Sequence, residues 1–406
     1  MKAGSANTLE KVKRSVRKSE LEKLVRDLVS IPSHPHAPTG EKEVAVFIRD
    51  FLEDEGIEAR LRNVERDRPN VLARLGGHAE GKSLMLNGHT DTVDPFDMDI
   101  PPFKPTVKGG RLYGRGSLDM KGGLGAMVMA LVALKRAKVR LRGDLLFAGV
   151  VGEEMRSEGT EDLVLKGPSA DMAIVGEPTW LEIQPYHRGL EWLEIHFYGK
   201  AAHGGLADQG VNAISKAAKF VQKVEDELVP VLRARRTKHG LPPTINLGVI
   251  QGGQQPSSVA DHCVVRADRR WVPEETLQQV FQEIYDIIDR LKTEDPEFKA
   301  ELKRDPRNMK TMTHVPNVVR RNHKIVQSLQ DSVADVLGKP AALSPFFGWT
   351  DAALLTHFAK TPAVVFGPGG EGAHARTEYV LTDDLVKCMN VYSDVTLRVC
   401  GVAGKN

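Results

Sequence analysis

The chain is predicted to fold as an α/β protein, a mixed sheet flanked by helices, with a smaller α+β domain inserted into it. In the first half, short apolar runs of strand length alternate with helical patterns. From about residue 189 the runs instead mix apolar with charged positions, as half-exposed antiparallel strands do. The first texture returns near residue 306, which makes the first domain discontinuous, 1–189 with 306–406, around an insert at 190–305. A length of 406 residues suits two or three domains and a sizeable core.

Taken in order, buried strands are expected over 71–75, 84–87, 145–151 and 172–175. Residues 124–137 lie between the second and third, are apolar on several faces and are rich in Ala, Leu and Met, so they read as a buried helix. In the insert, 190–198 (LEWLEIHFY) and 264–271 read as strands, accompanied by amphipathic helices over 211–232 and 274–291. That arrangement suits a small α+β domain with its helices on one sheet face. The tail supplies a helix over 323–337, a strand over 363–366 and a closing helix over 382–400, while 233–243 is a basic loop.

Composition narrows the partners. Lys and Arg number 56 against 54 Asp and Glu, a formal charge of +2, so there is no whole-protein field to hold nucleic acid or an anionic membrane. With 41% hydrophobic and 27% charged residues, and no run of 18 apolar residues, the expected partner is neither a bilayer nor nucleic acid. Three scattered cysteines make neither a disulfide framework nor a thiolate metal site. The basic N-terminus lacks an apolar core and carries Glu10 and Glu20, which predicts a cytoplasmic protein.

The chemistry is expected at the C-terminal ends of the strands, where ligands bind in open α/β sheets. The run 84–87 leads into Gly88-His89-Thr90-Asp91, 145–151 into Gly152-Glu153-Glu154, 172–175 into Gly176-Glu177, and 363–366 into a glycine-rich loop ending at His374. Asp119 precedes the 124–137 helix and can reach the same edge. Each residue alone has a plainer reading. His89 suits a hydrogen-bonded strand end, Glu153-Glu154 a solvated turn, Asp119 a helix N-cap, and His203 a turn cap. The 367–372 loop lacks the Lys-Ser/Thr of a phosphate loop. His34, His36 and the other remaining histidines read as surface or structural. Together, however, two imidazoles and several carboxylates on one edge demand cations. Nitrogen and oxygen ligation without thiolate suits Zn²⁺, Mn²⁺ or Co²⁺, and a shared carboxylate permits two of them.

The stretches LNGHTDTV, GRGSLDMKGGLGAM, GEEMRSEGT, IVGEPT, GKAAHGG with GVNAI, TINLGVIQGG, ADRR and FGPGGEGAHARTEYV occur in that order between about residues 20 and 400. In them the chain resembles the co-catalytic metallopeptidases and deacylases that include acetylornithine deacetylase, succinyl-diaminopimelate desuccinylase, aminoacylase and glutamate carboxypeptidase. The resemblance implies a metallopeptidase catalytic domain carrying an inserted, ferredoxin-like dimerisation or lid domain. It implies two divalent metal ions, zinc first and cobalt or manganese as alternatives. His89 and Glu177 would hold one, Glu154 and His374 the other, with Asp119 bridging them. Asp91 would orient His89, and Glu153 would be the general base. His203 would serve the oxyanion of a partner subunit's site, implying a homodimer. Asn246 and Arg270 would meet the substrate carboxylate, Arg270 through its bidentate fork, aided by backbone N–H groups around Gly369 and Gly370. Gly205, Ala207 and the run Ser257-Ser258-Val259-Ala260 depart from the family's usual residues, all of them in the insert.

The implied reaction is hydrolysis of the amide bond of a small N-acyl amino acid. A dipeptidase or carboxypeptidase, or an aminohydrolase on an unusual small substrate, would use the same metal site. A non-catalytic binding protein on this fold would have lost a ligand or the base, and a two-metal phosphoryl-transfer enzyme would want a Lys-bearing phosphate loop.

Overall fold

The computed structural model describes residues 3–403. They divide into two compact units, one comprising the described residues up to 186, 317–346 and those from 350 onward, the other 187–316 with 347–349. The first boundary thus falls three residues before 189/190, and the second eleven residues after 305/306. The segment after residue 305 stays with the second unit because it is hydrogen-bonded there. The Asn308 amide donates to the Trp192 carbonyl at 2.7 Å, and the Leu190 N–H donates to the His314 carbonyl at 2.9 Å.

In the first unit a six-stranded sheet runs in the order Glu58–Glu65, Arg68–Leu75, Leu145–Val150, Leu84–His89, Met172–Val175, Ala363–Val365. The first three strands pair antiparallel and the last four parallel. Strand alternation sorts the side chains onto two buried faces. Leu84, Leu86, Leu145, Phe147 and Ile174 join a large cluster with the helices, while Met85, Leu146, Ala148, Ala173 and Val175 join a second with Leu163, Ala352 and Leu355. Burial on both faces is why these strands read as unbroken apolar runs.

The expected buried helix is Gly122–Arg136, and its residues 122–134 are all buried. Its apolar length is therefore used inside the protein, in contact with the helices Lys18–Ser30 and Thr382–Cys400. A Cβ at Gly123 would lie 2.0 Å from the Gly176 carbonyl oxygen, so glycine there lets the helix start directly against the loop that carries Glu177. All three cysteines are buried and free.

The second unit has the chain order strand Gly189–Tyr198, helix Ala213–Lys223, strands Thr244–Gly252 and His262–Trp271, helix Leu277–Glu294 and strand Lys299–Arg304. This β-α-β-β-α-β order is ferredoxin-like. Its four strands pair antiparallel in the order Thr244–Gly252, His262–Trp271, Gly189–Tyr198, Lys299–Arg304. Leu193, Ile195, Phe197, Val265 and Ala267 pack with Phe220, Ile284 and Ile288 of the helices. The second helix starts three residues later than the periodicity suggests because Thr276 caps it, accepting from the Gln279 N–H at 3.2 Å.

Candidate metal centre

Strand register brings the site together before any side chain is considered. His89 lies opposite Val150, and Asn87 lies opposite Val175. The residues that leave the neighbouring strands, Gly152 to Glu154 and Gly176-Glu177, therefore emerge level with the imidazole of His89. Asp119 arrives from the turn preceding Gly122–Arg136; its φ of −118° and ψ of 99° are not helical, and the helix N-cap position is Lys121. The N-cap reading of Asp119 is thereby excluded.

The side chains form two poles that share Asp119. Its Oδ1 lies 3.1 Å from His89 Nε2, and its Oδ2 lies 3.3 Å from His374 Nε2. At the first pole, Glu177 Oε1 is 3.5 Å from His89 Nε2. At the second, Glu154 Oε2 is 3.0 Å from His374 Nε2. Donor atoms of His89, Asp119 and Glu154 lie within 4.8 Å of one another, as do those of His89, Glu153 and Glu177. All five candidate ligands and the candidate base thus converge, whereas His203, Asn246 and Arg270 belong to the second unit.

The electrostatics call for cations. Burial pushes the Glu177 carboxyl up to about 8, against the pull of His89 and with further pressure from Asp119. Glu153 stands well above the ordinary carboxylate value, through burial first and then through the charge of Glu177. His374 is raised to about 10 by hydrogen bonding to Asp119 and Glu154. Glu177 Oε1 is also buried without a hydrogen-bond partner, which costs free energy unless something positive faces it. Imidazole nitrogens and carboxylate oxygens without a thiolate fit Zn²⁺, Co²⁺ or Mn²⁺.

Asp91 has a fuller part than orienting His89. The Nδ1 of His89 is 3.0 Å from the Asp91 backbone carbonyl and 3.5 Å from its carboxylate. The carboxylate itself accepts N–H bonds from Gly152 and Glu153 on Oδ1 and from Glu154 on Oδ2, at 3.0, 3.2 and 3.0 Å. Burial would raise this acid, but His89 and the Glu154 N–H hold it below its ordinary value. Asp91 thereby fixes the turn that presents both glutamates.

Three residues of the centre carried no signal of their own in the sequence. Glu378 accepts N–H bonds from Gly116, Leu118 and Asp119 and pairs with the buried Arg115 at 2.8 Å, which pins the Asp119 turn. Its only advance mark was its place in the stretch ending ARTEYV. Buried Asp351 accepts from the Thr160 hydroxyl at 2.7 Å, and burial pushes it up to about 6. The ammonium of Lys121 donates to the Leu28 and Ile31 carbonyls at 3.0 and 2.7 Å, and burial lowers it to about 7.

The substrate candidates are placed differently from expectation. The Gly369 N–H donates to Asp384 at 3.2 Å, and Gly370 pairs with Val380 in a short strand, so this loop is engaged internally. Arg270 presents Nε and Nη2 to Asp268 at 2.7 and 2.8 Å, which occupies one edge of its guanidinium and leaves the Nη1 edge. Asn246 lies opposite Asp268 across the strand pair, on the sheet face away from the helices. His203 is exposed and caps a short helical turn, its Nδ1 accepting from the Gly205 N–H at 3.1 Å. With Nδ1 as acceptor, the neutral ring carries its proton on Nε2.

Comparison with known proteins gives the family. Residues 85–398 match Peptidase family M20/M25/M40. The chain is 33% identical over 359 residues to an acetylornithine deacetylase of Myxococcus xanthus, covering 86% of this chain and 87% of that protein. It is 30% identical over 394 residues to an N-formyl-4-amino-5-aminomethyl-2-methylpyrimidine deformylase of Halalkalibacterium halodurans, covering 91% and 92%. Among solved structures, a dinuclear metal-binding peptidase of the M20 family from Bacillus subtilis superposes with a TM-score of 0.70 at 18% identity, over 95% of this chain and 99% of that one. Two poles of imidazole and carboxylate around one shared aspartate, and a family match that spans both units, have one conclusion: the chain belongs to Peptidase family M20/M25/M40.

Proposed function

We propose that this chain is a metal-dependent amidohydrolase that cleaves the amide bond of a small N-acyl amino acid, with zinc as its resident metal. The observation that carries the proposal is the division of Asp119, one oxygen toward His89 and the other toward His374. A carboxylate so placed suits a pair of divalent ions, held by His89 and Glu177 on one side and by His374 and Glu154 on the other. Such a pair would polarise the acyl carbonyl and make water acidic enough to attack near neutral pH.

The remaining steps belong to the protein. Glu153 lies beside the first pole, and its raised affinity for a proton suits it to take one from the attacking water and return it to the departing nitrogen. Asp91 keeps it in place through the turn amides. For the oxyanion we assign His203 of a second copy of the chain, donating from Nε2, which makes the active species a homodimer. The free edge of Arg270, with Asn246, is assigned to the substrate carboxylate. The relatives remove formyl and acetyl groups, which supports a deacylase over a dipeptidase.

Amine release from a panel of N-formyl, N-acetyl and N-succinyl amino acids and dipeptides, assayed with chelator and after zinc, cobalt or manganese is restored, tests the reading. Metal-dependent turnover of an N-acyl amino acid is the expected result. Turnover undiminished by chelation would overturn it. Light scattering, and mixing of His203→Ala with Glu153→Ala subunits, tests the second-copy assignment. Activity regained on mixing is expected, and a monomeric active species would refute it.

A further inference from the structure

A second group of metal-ligating side chains lies where two loops of the first unit meet. The Thr92 N–H donates to the Ser33 carbonyl at 3.3 Å, which joins the chain leaving Asp91 to the segment following the helix Lys18–Ser30. Beside this link, His34 Nδ1 lies 2.7 Å from Asp94 Oδ1, and His36 Nδ1 lies 2.9 Å from each Asp94 oxygen. One donor atom from each of the three residues lies within 4.8 Å of the others. None of them takes part in the chemistry assigned to the Asp119 cluster.

The arrangement is held from both sides. Pro35 separates the two histidines and Pro95 follows Asp94, so the backbone on each side has few conformations to lose. The Ala37 N–H closes a turn onto the His34 carbonyl at 2.9 Å, and the His34 ring stacks on Phe103 with centroids 5.6 Å apart and planes within 9°. The His34 side chain is 13% exposed and Asp94 22%, whereas His36 is 80% exposed. His34 Nδ1 is itself buried and, despite its short approach to Asp94, makes no hydrogen bond of acceptable direction. At 2.7 Å the two atoms are close enough to share one cation placed to the side of the line joining them. A cation there would satisfy the buried nitrogen, which is otherwise costly.

We propose that His34, His36 and Asp94 form a further divalent-metal site, sharing no ligand with the Asp119 cluster. Two imidazoles and one carboxylate select a borderline transition ion such as Zn²⁺, Ni²⁺ or Co²⁺ over Mg²⁺ or Ca²⁺. Three protein donors, one of them on an exposed side chain, make the site open to water and exchangeable. Occupied, it ties the 31–40 segment to the chain that leaves Asp91. The site fills from metal in excess of what the buried cluster takes.

The test is equilibrium dialysis of the tag-free full chain against rising Zn²⁺, with bound metal counted by mass spectrometry. His36→Ala is the variant, because its side chain is exposed and its loss leaves the core intact, and Asp94→Asn is the second. The control is His262→Ala, which removes an exposed histidine of the other unit. Each of the first two should bind one zinc fewer than wild type at saturation, or bind that ion more weakly by over about 10-fold, with the control unchanged. Co²⁺ absorption in the visible should drop in the same two variants. Equal zinc counts in wild type and both variants would show that the cluster is a pair of plain His–Asp contacts and overturn the proposal. The readout is a difference between variants, so failure of the Asp119 cluster to hold metal would lower every count alike and leave that difference interpretable.

Discussion

At the level of single residues, the two adjacent glutamates separate by neighbourhood. Glu154 faces His374 at 3.0 Å and points into the second pole, whereas Glu153 lies with His89 and Glu177 and is pressed toward its protonated form. Glu153→Ala is therefore expected to retain its metal and lose roughly 10²-fold or more in kcat, as removal of an acid–base group does. Glu154→Ala should lose metal from one pole, since it removes a donor that nothing nearby replaces. Metal analysis beside turnover separates the two; equal metal loss in both variants would make Glu153 a ligand and leave the reaction without its base. Which carboxylates mattered was legible for Asp91, Glu153, Glu154 and Glu177 because each follows a short apolar run through a glycine, and for Asp119 because it stands just before the apolar 124–137 helix. What Asp91 does was not, because three backbone N–H groups converging on one carboxylate have no signature in residue spacing.

At the level of elements, the strands were legible where their apolar positions are buried and obscure where most positions meet water. Glu58–Glu65 and Lys299–Arg304 are edge strands with mostly exposed or half-exposed positions, and Thr244–Gly252 is exposed along most of its length, so none shows an apolar run. The turn that carries Asp119 is held by an element distant in sequence. Glu378 accepts three of its backbone N–H groups and neutralises Arg115, whose side chain is 2% exposed. Glu378→Ala would leave that guanidinium buried and unpaired, and a loss of about 3–5 kcal/mol is expected. Glu378→Gln, which still offers a carbonyl oxygen to the turn, should lose less. Urea unfolding of the two variants gives the comparison, and equal stability of Glu378→Ala and wild type would remove Glu378 as the support of the turn.

For the whole molecule, the buried acids predict how stability depends on pH without metal. Glu177, raised to about 8, and Asp351, raised to about 6, bind protons more tightly folded than unfolded, where carboxyls titrate near 4. Their contribution is present at low pH and is withdrawn as pH climbs through those values. His374, raised to about 10 from an unfolded value near 6.5, withdraws its own over the window above that. These groups act in one direction up to about pH 7, above which buried Lys121, lowered to about 7, gains stability as pH rises and opposes His374. The melting temperature of chelated protein should therefore fall from about pH 5 to about pH 7 and level off beyond it. Zinc competes with protons for the same donors, so its stabilising effect should grow over that range. Thermal scans across pH with chelator and with zinc check this, and a flat profile without metal would mean that the cluster is relieved by some other cation. The central claim, two divalent ions shared by Asp119, is tested most directly by anomalous diffraction from crystals of zinc-loaded protein. Two peaks are predicted, one on each side of the Asp119 carboxylate, the first bounded by His89 and Glu177 and the second by His374 and Glu154. A single peak at Asp119, or a zinc ligated by Glu153 in place of Glu177, would contradict the account.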